Sequence, residues 1–215
     1  MKLISRIAER LRSLVSPSET LEGYENPELV ESVFQKTLAY RPTMPALEIG
    51  DARAILDFGG GCGAHFKEAQ SPTVRWAVVE TPAMVKRAAE LSTDRLRFFS
   101  SIRRAAEWLG TIDMMHSSGA LQYTPAPAET LAELCSLGAG VMYWRRMNLS
   151  AGSQETETQT SRLAENGPGR ISGIKNKAVK YRLTKLPEAA FLAAHAGYRL
   201  TERTADSFRF VRGGQ

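Results

Sequence analysis

The chain has 215 residues, of which 43% are hydrophobic and 24% charged, with a net charge of +5. At about 100–200 residues per domain, this length fits one globular domain with room for a short appendage, and general disorder is excluded. No stretch reaches the ~18 uninterrupted apolar residues of a membrane span, and the N-terminus interleaves charge with apolar residues, unlike a secretory signal.

Residues 2–15 read as a basic amphipathic helix. Leu3, Ile7, Leu11 and Leu14 recur at helical spacing, with Lys2, Arg6, Arg10 and Arg12 elsewhere on the wheel. Such a helix packs on its own domain or lies against an anionic membrane surface. Asn26-Pro27-Glu28 starts a second helix, with Asn as N-cap and Pro at the first position. Leu29, Val30, Val33, Phe34 and Leu38 form its apolar face, and Arg41-Pro42 ends it. Residues 1–45 are therefore an N-terminal helical segment, and 46–215 the main domain.

From Ala54 the pattern alternates. Strands are expected at Ala54–Phe58, Val74–Glu80, Leu96–Phe99, Ile112–Met115 and Gly140–Trp144. Helices are expected from Thr81-Pro82, near Ile102–Leu109 and near Ala128–Leu137. After a Gly-, Ser- and Thr-rich stretch come a helix over Pro187–His195 and two strands, Tyr198–Arg203 and Ser207–Arg212. This order predicts an α/β fold: a doubly wound, mostly parallel, seven-stranded sheet with helices on both faces, closed by an antiparallel hairpin.

The strand over Ala54–Phe58 runs into Asp57-Phe58-Gly59-Gly60-Gly61-Cys62-Gly63. Missing side chains there let a ligand approach the backbone. Glu80 ends the second strand, 21 residues after Gly59, where a carboxylate can accept both hydroxyls of a ribose. Gly59, Gly61 and Ala64 also fit a dinucleotide fingerprint, so the glycines alone do not choose a cofactor. Asp57 does: a carboxylate two residues before the first glycine is unhelpful beside a pyrophosphate and useful beside an α-amino group or a sulfonium.

With these residues the chain resembles the class I S-adenosylmethionine-dependent methyltransferases, over roughly residues 54–212. It is similar, more narrowly, to a little-characterised bacterial methyltransferase family associated with surface-polysaccharide synthesis. That closer likeness rests on Gly23-Tyr24, Leu56 to Gly60, Phe98 to Ile102, and Ser117-Ser118 with Leu121-Gln122-Tyr123. The resemblance implies S-adenosyl-L-methionine as cofactor and a Rossmann-like fold. Gly59, Gly60, Gly61 and Gly63 would cradle the methionine moiety. Asp57 would hold its amino end, directly or through water, and Glu80, followed by Thr81, would bind the ribose. Ser100, Ser101 and Ile102 would border the adenine, and His116 and Ser117 would face the transferring methyl.

A hydroxyl acceptor needs a group to take its proton, and His116, expected just past the fourth strand, is the candidate base. Tyr123, Arg145 and Arg146 are candidate acceptor contacts, and Tyr24 is placed to close over the cofactor. His65, in the first turn after the glycine loop, is read as a helix-face residue before a contact to cofactor or substrate, and His195 as a helix-end cation favoured by the dipole. No spacing of His, Cys or Asp marks a metal centre, and Cys62 and Cys135 form no disulfide framework. Between Arg162 and Lys185, seven basic residues face one acid, Glu165, for a local +6. This insertion at about 146–185 suits the phosphates of an acceptor, or is a solvated loop with no ligand. The expected function is methylation of a sugar or glycan hydroxyl by a cytoplasmic enzyme, soluble or peripheral at a membrane. The rivals are an RNA methyltransferase, disfavoured because no RNA-binding module or run of stacking aromatics is visible, and a non-catalytic module that kept the cofactor fold.

Overall fold

The computed structural model describes residues 23–173 and 177–213. The helix expected over 2–15 lies outside the described residues. Strands β1 (Ala54–Phe58), β2 (Arg75–Val79), β3 (Leu96–Phe99), β4 (Met114–Ser118) and β5 (Val141–Arg145) pair in parallel. β8 (Tyr198–Arg203) and β9 (Phe208–Arg212) form the expected hairpin. β9 inserts antiparallel beside β5, giving the sheet order β3-β2-β1-β4-β5-β9-β8.

The strands are apolar on both sides because both faces are covered. Along β1, Leu56 enters the core under α4 (Ile102–Leu109), α5 (Pro127–Ser136) and α6 (Glu188–Ala193), while its neighbour Ile55 packs on the opposite face with Trp76, Val78 and Met114. Both side chains are fully buried, each contributing roughly 1.5–3 kcal/mol.

On the Ile55 side lie α1 (Pro27–Ala39), α2 (Ala64–Ala69) and α3 (Pro82–Ala88). Asn26 caps α1 as expected, its Oδ1 accepting from the Leu29 amide at 3.0 Å. Leu29, Val30, Val33 and Phe34 are buried; Leu38 is exposed, contrary to the helical-wheel reading, because the face that α1 buries ends with Thr37.

The largest departure from the sequence reading lies in the basic stretch. It is not a loop but two antiparallel strands, β6 (Glu155–Arg162) and β7 (Ala178–Lys185), forming a separate two-stranded arm. Val179, Tyr181 and Leu183 of β7 alternate into the interior, while β6 has no apolar residue. The arm is also less free in its charge than the sequence suggests: Lys185 lies 3.6 and 3.3 Å from Glu155 and Glu157, and Lys177 2.9 Å from Glu28.

Helix α1 fastens the turn between the arm's strands. Lys36 Nζ donates to the carbonyls of Ala164 and Asn166 at 2.9 and 2.7 Å, and Ser32 Oγ donates to the Leu163 carbonyl at 3.1 Å. Among the described residues, no helix is long and apolar enough to cross a membrane.

Candidate functional site

The carboxyl ends of β1, β2 and β4 open into a crevice of about 1130 Å³. Its floor is the bend after β1. Gly59, Gly61 and Gly63 all have positive φ (72°, 58° and 86°), the region that side chains disfavour. A Cβ on Gly59 would overlap Ala120, and one on Gly60 would overlap the carboxylate of Asp57. The bend is thus bare for two reasons: its backbone turns the wrong way for side chains, and its neighbours leave no room for them.

Glu80 sits beside this floor. Its two carboxylate oxygens accept from the amides of Gly61 and Thr81, each at 2.9 Å. Burial raises its pKa against the effect of these two bonds. Each oxygen keeps a second lone pair for a ligand hydroxyl. Gly59, Gly60, Gly61, Glu80, Thr81, Ser100, Ser101, Ile102, Tyr123, Arg145 and Arg146 all line the crevice, as does Tyr24.

Four of the expected contacts lie elsewhere. Gly63 is buried, caps the start of α2 and faces Leu96 and Phe98. Ser117 is buried, and its Oγ has no hydrogen-bond partner. Asp57 is completely enclosed beneath the bend, where its carboxylate accepts from His116 Nδ1 (2.8 Å), His65 Nδ1 (3.0 Å) and Trp76 Nε1 (3.1 Å). It does not present its carboxylate to the crevice as expected.

His116 is equally enclosed, with its Nε2 unpartnered. The sequence ended β4 at Met115 and left His116 at the strand's edge. The strand runs on to Ser118, so His116 is an interior residue and is not placed to take a proton from an acceptor.

The Asp57 cluster has a defined protonation pattern. A carboxylate only accepts, so both imidazoles carry hydrogen on Nδ1. Burial opposes the charge on Asp57, but His65 and His116 outweigh it and hold the carboxyl below its usual range. Burial lowers the His116 pKa, leaving that ring neutral. Asp57, His65 and His116 each bring an atom able to ligate a metal within 4.8 Å of the others, a grouping hidden in the linear spacing and accounted for here by hydrogen bonds. His65, read from sequence first as a helix-face residue and second as a cofactor or substrate contact, is the member of the cluster that lines the crevice.

A second cavity of about 520 Å³ adjoins the crevice under the arm, sharing Tyr24, Gly119, Tyr123, Arg146, Glu165, Asn166 and Tyr181 with it. The three tyrosine rings pack together, with centroids 5.2–5.6 Å apart. Around them stand Gln122, Asn148, Gln159 and Asn166. Gln122 is buried with its Oε1 unpartnered, and Tyr123 donates to Gln159 at 2.7 Å. Arg146 has the left-handed backbone rare for a side chain (φ 51°), and its guanidinium donates to Ser118 Oγ and Ser118 O, both at 3.0 Å. Most of this cavity escaped the sequence reading. The signal that could have found it is the alternation of Val179, Tyr181 and Leu183 with Lys180 and Arg182.

No family model matches the chain, and no curated protein matches it. Solved structures do. The CcbJ methyltransferase from Streptomyces caelestis is 13% identical, with 87% of this chain and 90% of that one covered and a TM-score of 0.52. DesVI of Streptomyces venezuelae is 15% identical, with 88% and 94% covered and a TM-score of 0.51. The sugar N-methyltransferase KedS8 from Streptoalloteichus sp ATCC 53650 is 19% identical, with 86% and 87% covered and a TM-score of 0.49. The likeness to the first two is one of fold: the chain has the Rossmann-like, seven-stranded methyltransferase architecture.

Proposed function

We propose that the chain is an S-adenosylmethionine-dependent methyltransferase acting on a hydroxyl of a sugar or glycan-related small molecule. The observation that carries this reading is Glu80, anchored by the Gly61 and Thr81 amides at the edge of a side-chain-free bend. That pairing suits a ribose beside a backbone-lined pocket for the rest of the cofactor. The architecture shared with a methyltransferase supports the same reading.

When bound, the cofactor supplies a methyl group already activated on a sulfonium. The protein's task is then alignment. Gly59 to Gly61 admit the cofactor close to the backbone, Glu80 fixes its ribose, and Ser100 to Ile102 border its base. The adjoining cavity offers amides, hydroxyls and tyrosine faces, a lining that matches a polyhydroxylated ring better than an extended apolar chain. With His116 enclosed in the sheet, Glu165 and Asp206, the acidic residues among those described that line this cavity, are the candidates to take the acceptor's proton. Arg182, on the rim of the crevice, is the basic residue of the arm best placed for a phosphate on the acceptor. Residues 2–15 would bring the enzyme to an anionic membrane carrying that acceptor.

Calorimetry with S-adenosylmethionine and S-adenosylhomocysteine tests the cofactor. Transfer of a labelled methyl group to small glycans and to RNA tests the acceptor. Transfer to RNA alone overturns the sugar reading; tight cofactor binding without turnover on any acceptor supports a non-catalytic module instead.

A further inference from the structure

The crevice has two chemically distinct ends. At one, Glu80 presents acceptor oxygens beside Gly61 and Thr81. At the other, His65 and Arg145 line the wall. His65 is held from behind. Its Nδ1 lies 3.0 and 3.3 Å from the two oxygens of the enclosed Asp57 carboxylate, and its ring meets His116 edge-on at 4.6 Å between centroids. With Nδ1 turned to Asp57, the opposite ring nitrogen, Nε2, has no hydrogen-bond partner among the described residues. Nor is it sealed away: among the described residues, the solvent-inaccessible side-chain nitrogens and oxygens without a partner are His116 Nε2, Ser117 Oγ and Gln122 Oε1. In its protonated form His65 therefore offers an open N–H to whatever occupies this end of the crevice.

We propose that His65, seated on Asp57, binds the carboxylate at the amino-acid end of S-adenosylmethionine. This rests on the cofactor reading above and reverses the part expected of Asp57. Asp57 does not meet the ligand's amino group; it is the enclosed counter-charge that keeps an imidazolium facing a carboxylate. The groups around His65 are Asp57 from β1, neutral His116 from β4, Arg145 from β5 and Glu68 from its own helix. Burial opposes a charge on His65, but Asp57 outweighs it, acting both as a charge and as a hydrogen-bond partner, and pushes the pKa up. An imidazolium–carboxylate contact is charge-assisted and stronger than its neutral counterpart. Arg145 adds a second cation at the same end.

The sign of the pH dependence follows. A ligand carboxylate stays ionised across the imidazole range, so affinity is highest where His65 is protonated. It falls as pH rises through the elevated pKa of His65. A nucleoside without the amino-acid end is indifferent to that proton.

The test is calorimetry on the full chain with S-adenosylhomocysteine and with 5′-methylthioadenosine, which keeps the nucleoside and lacks the carboxylate, from about pH 6 to about pH 8.5. S-adenosylhomocysteine is expected to weaken about tenfold or more across this range, and 5′-methylthioadenosine to stay level. In His65→Gln the S-adenosylhomocysteine curve becomes flat and lies at the weak end, while 5′-methylthioadenosine binds as in the wild type. Parallel curves for the two compounds, or an unchanged pH profile in His65→Gln, overturn the proposal and leave the cofactor reading standing. Failure of both compounds to bind at any pH overturns the cofactor reading and this assignment with it.

Discussion

Gly60 lies directly over Asp57, so close that a Cβ at position 60 would overlap the Asp57 Oδ2. The first side-chain atom that any other residue would add there must push into a buried carboxylate already committed to His65, His116 and Trp76. The floor of the crevice and the charged cluster below it therefore form one packed unit.

Gly60→Ala is expected to lower stability by about 1–3 kcal/mol through overpacking and to weaken S-adenosylhomocysteine binding by tilting the bend. Thermal unfolding and calorimetry on the same variant check both effects. A variant as stable as the wild type would show that the cluster can give way.

Glu80→Ala removes the acceptor for two backbone amides and the proposed partner of the ribose. Loss of about 1–3 kcal/mol of S-adenosylhomocysteine affinity is expected, with Glu80→Gln falling between. Unchanged affinity in calorimetry takes Glu80 out of the site.

Lys36→Met keeps the stem of the side chain and removes the ammonium group that holds the Ala164 and Asn166 carbonyls. A loss of about 1–3 kcal/mol is expected, together with faster amide hydrogen exchange in β6 and β7 than in β1 or β4. Uniform exchange across all four strands would mean that the arm does not depend on this anchor.

His195 is expected to limit stability in acid. The sequence suggested a helix-end cation. Instead, the ring is buried, stacked on Phe210 at 3.9 Å, with Nε2 accepting from Trp144 and Nδ1 donating to the Phe191 carbonyl, both at 2.8 Å. Burial pushes its pKa down to about 4. The folded state thus takes up a proton less readily than the unfolded chain. Its contribution is complete above the unfolded pKa of about 6.5 and is lost as pH falls through about 4, on the order of 3 kcal/mol. In His195→Gln, which can keep both hydrogen bonds, the unfolding temperature should decline less steeply over this range. Identical slopes would assign the acid sensitivity to other groups.

Much of the fold was legible because its signals are local. Asn26-Pro27 announces a capped helix start, and the apolar runs around Ile55, Trp76 and Met142 can only be strands covered on both faces. The glycine run and Glu80 were legible for the same reason, since their chemistry follows from residue type at a fixed spacing. His116 was misplaced because the apolar run stops at Met115 while the backbone ladder continues through His116, Ser117 and Ser118. Polar side chains inside a strand give no hydropathy signal. The direction in which Asp57 points was equally hidden, because its partners His65, Trp76 and His116 come from three other elements. The arm was missed because β6 is polar throughout and only β7 carries a two-residue period.

The tie between Lys36 and Asn166 joins positions 130 residues apart. The glycine bend, Glu80, and the His116 and Ala120 that pack on the bend all lie within the chain through the end of β4 and the two residues after it. The neighbouring chamber needs the arm, and the arm needs its far-off fastening. The crevice floor is thus assembled from contacts closed over shorter stretches of chain than the chamber beside it, which waits on a loop of 130 residues to close.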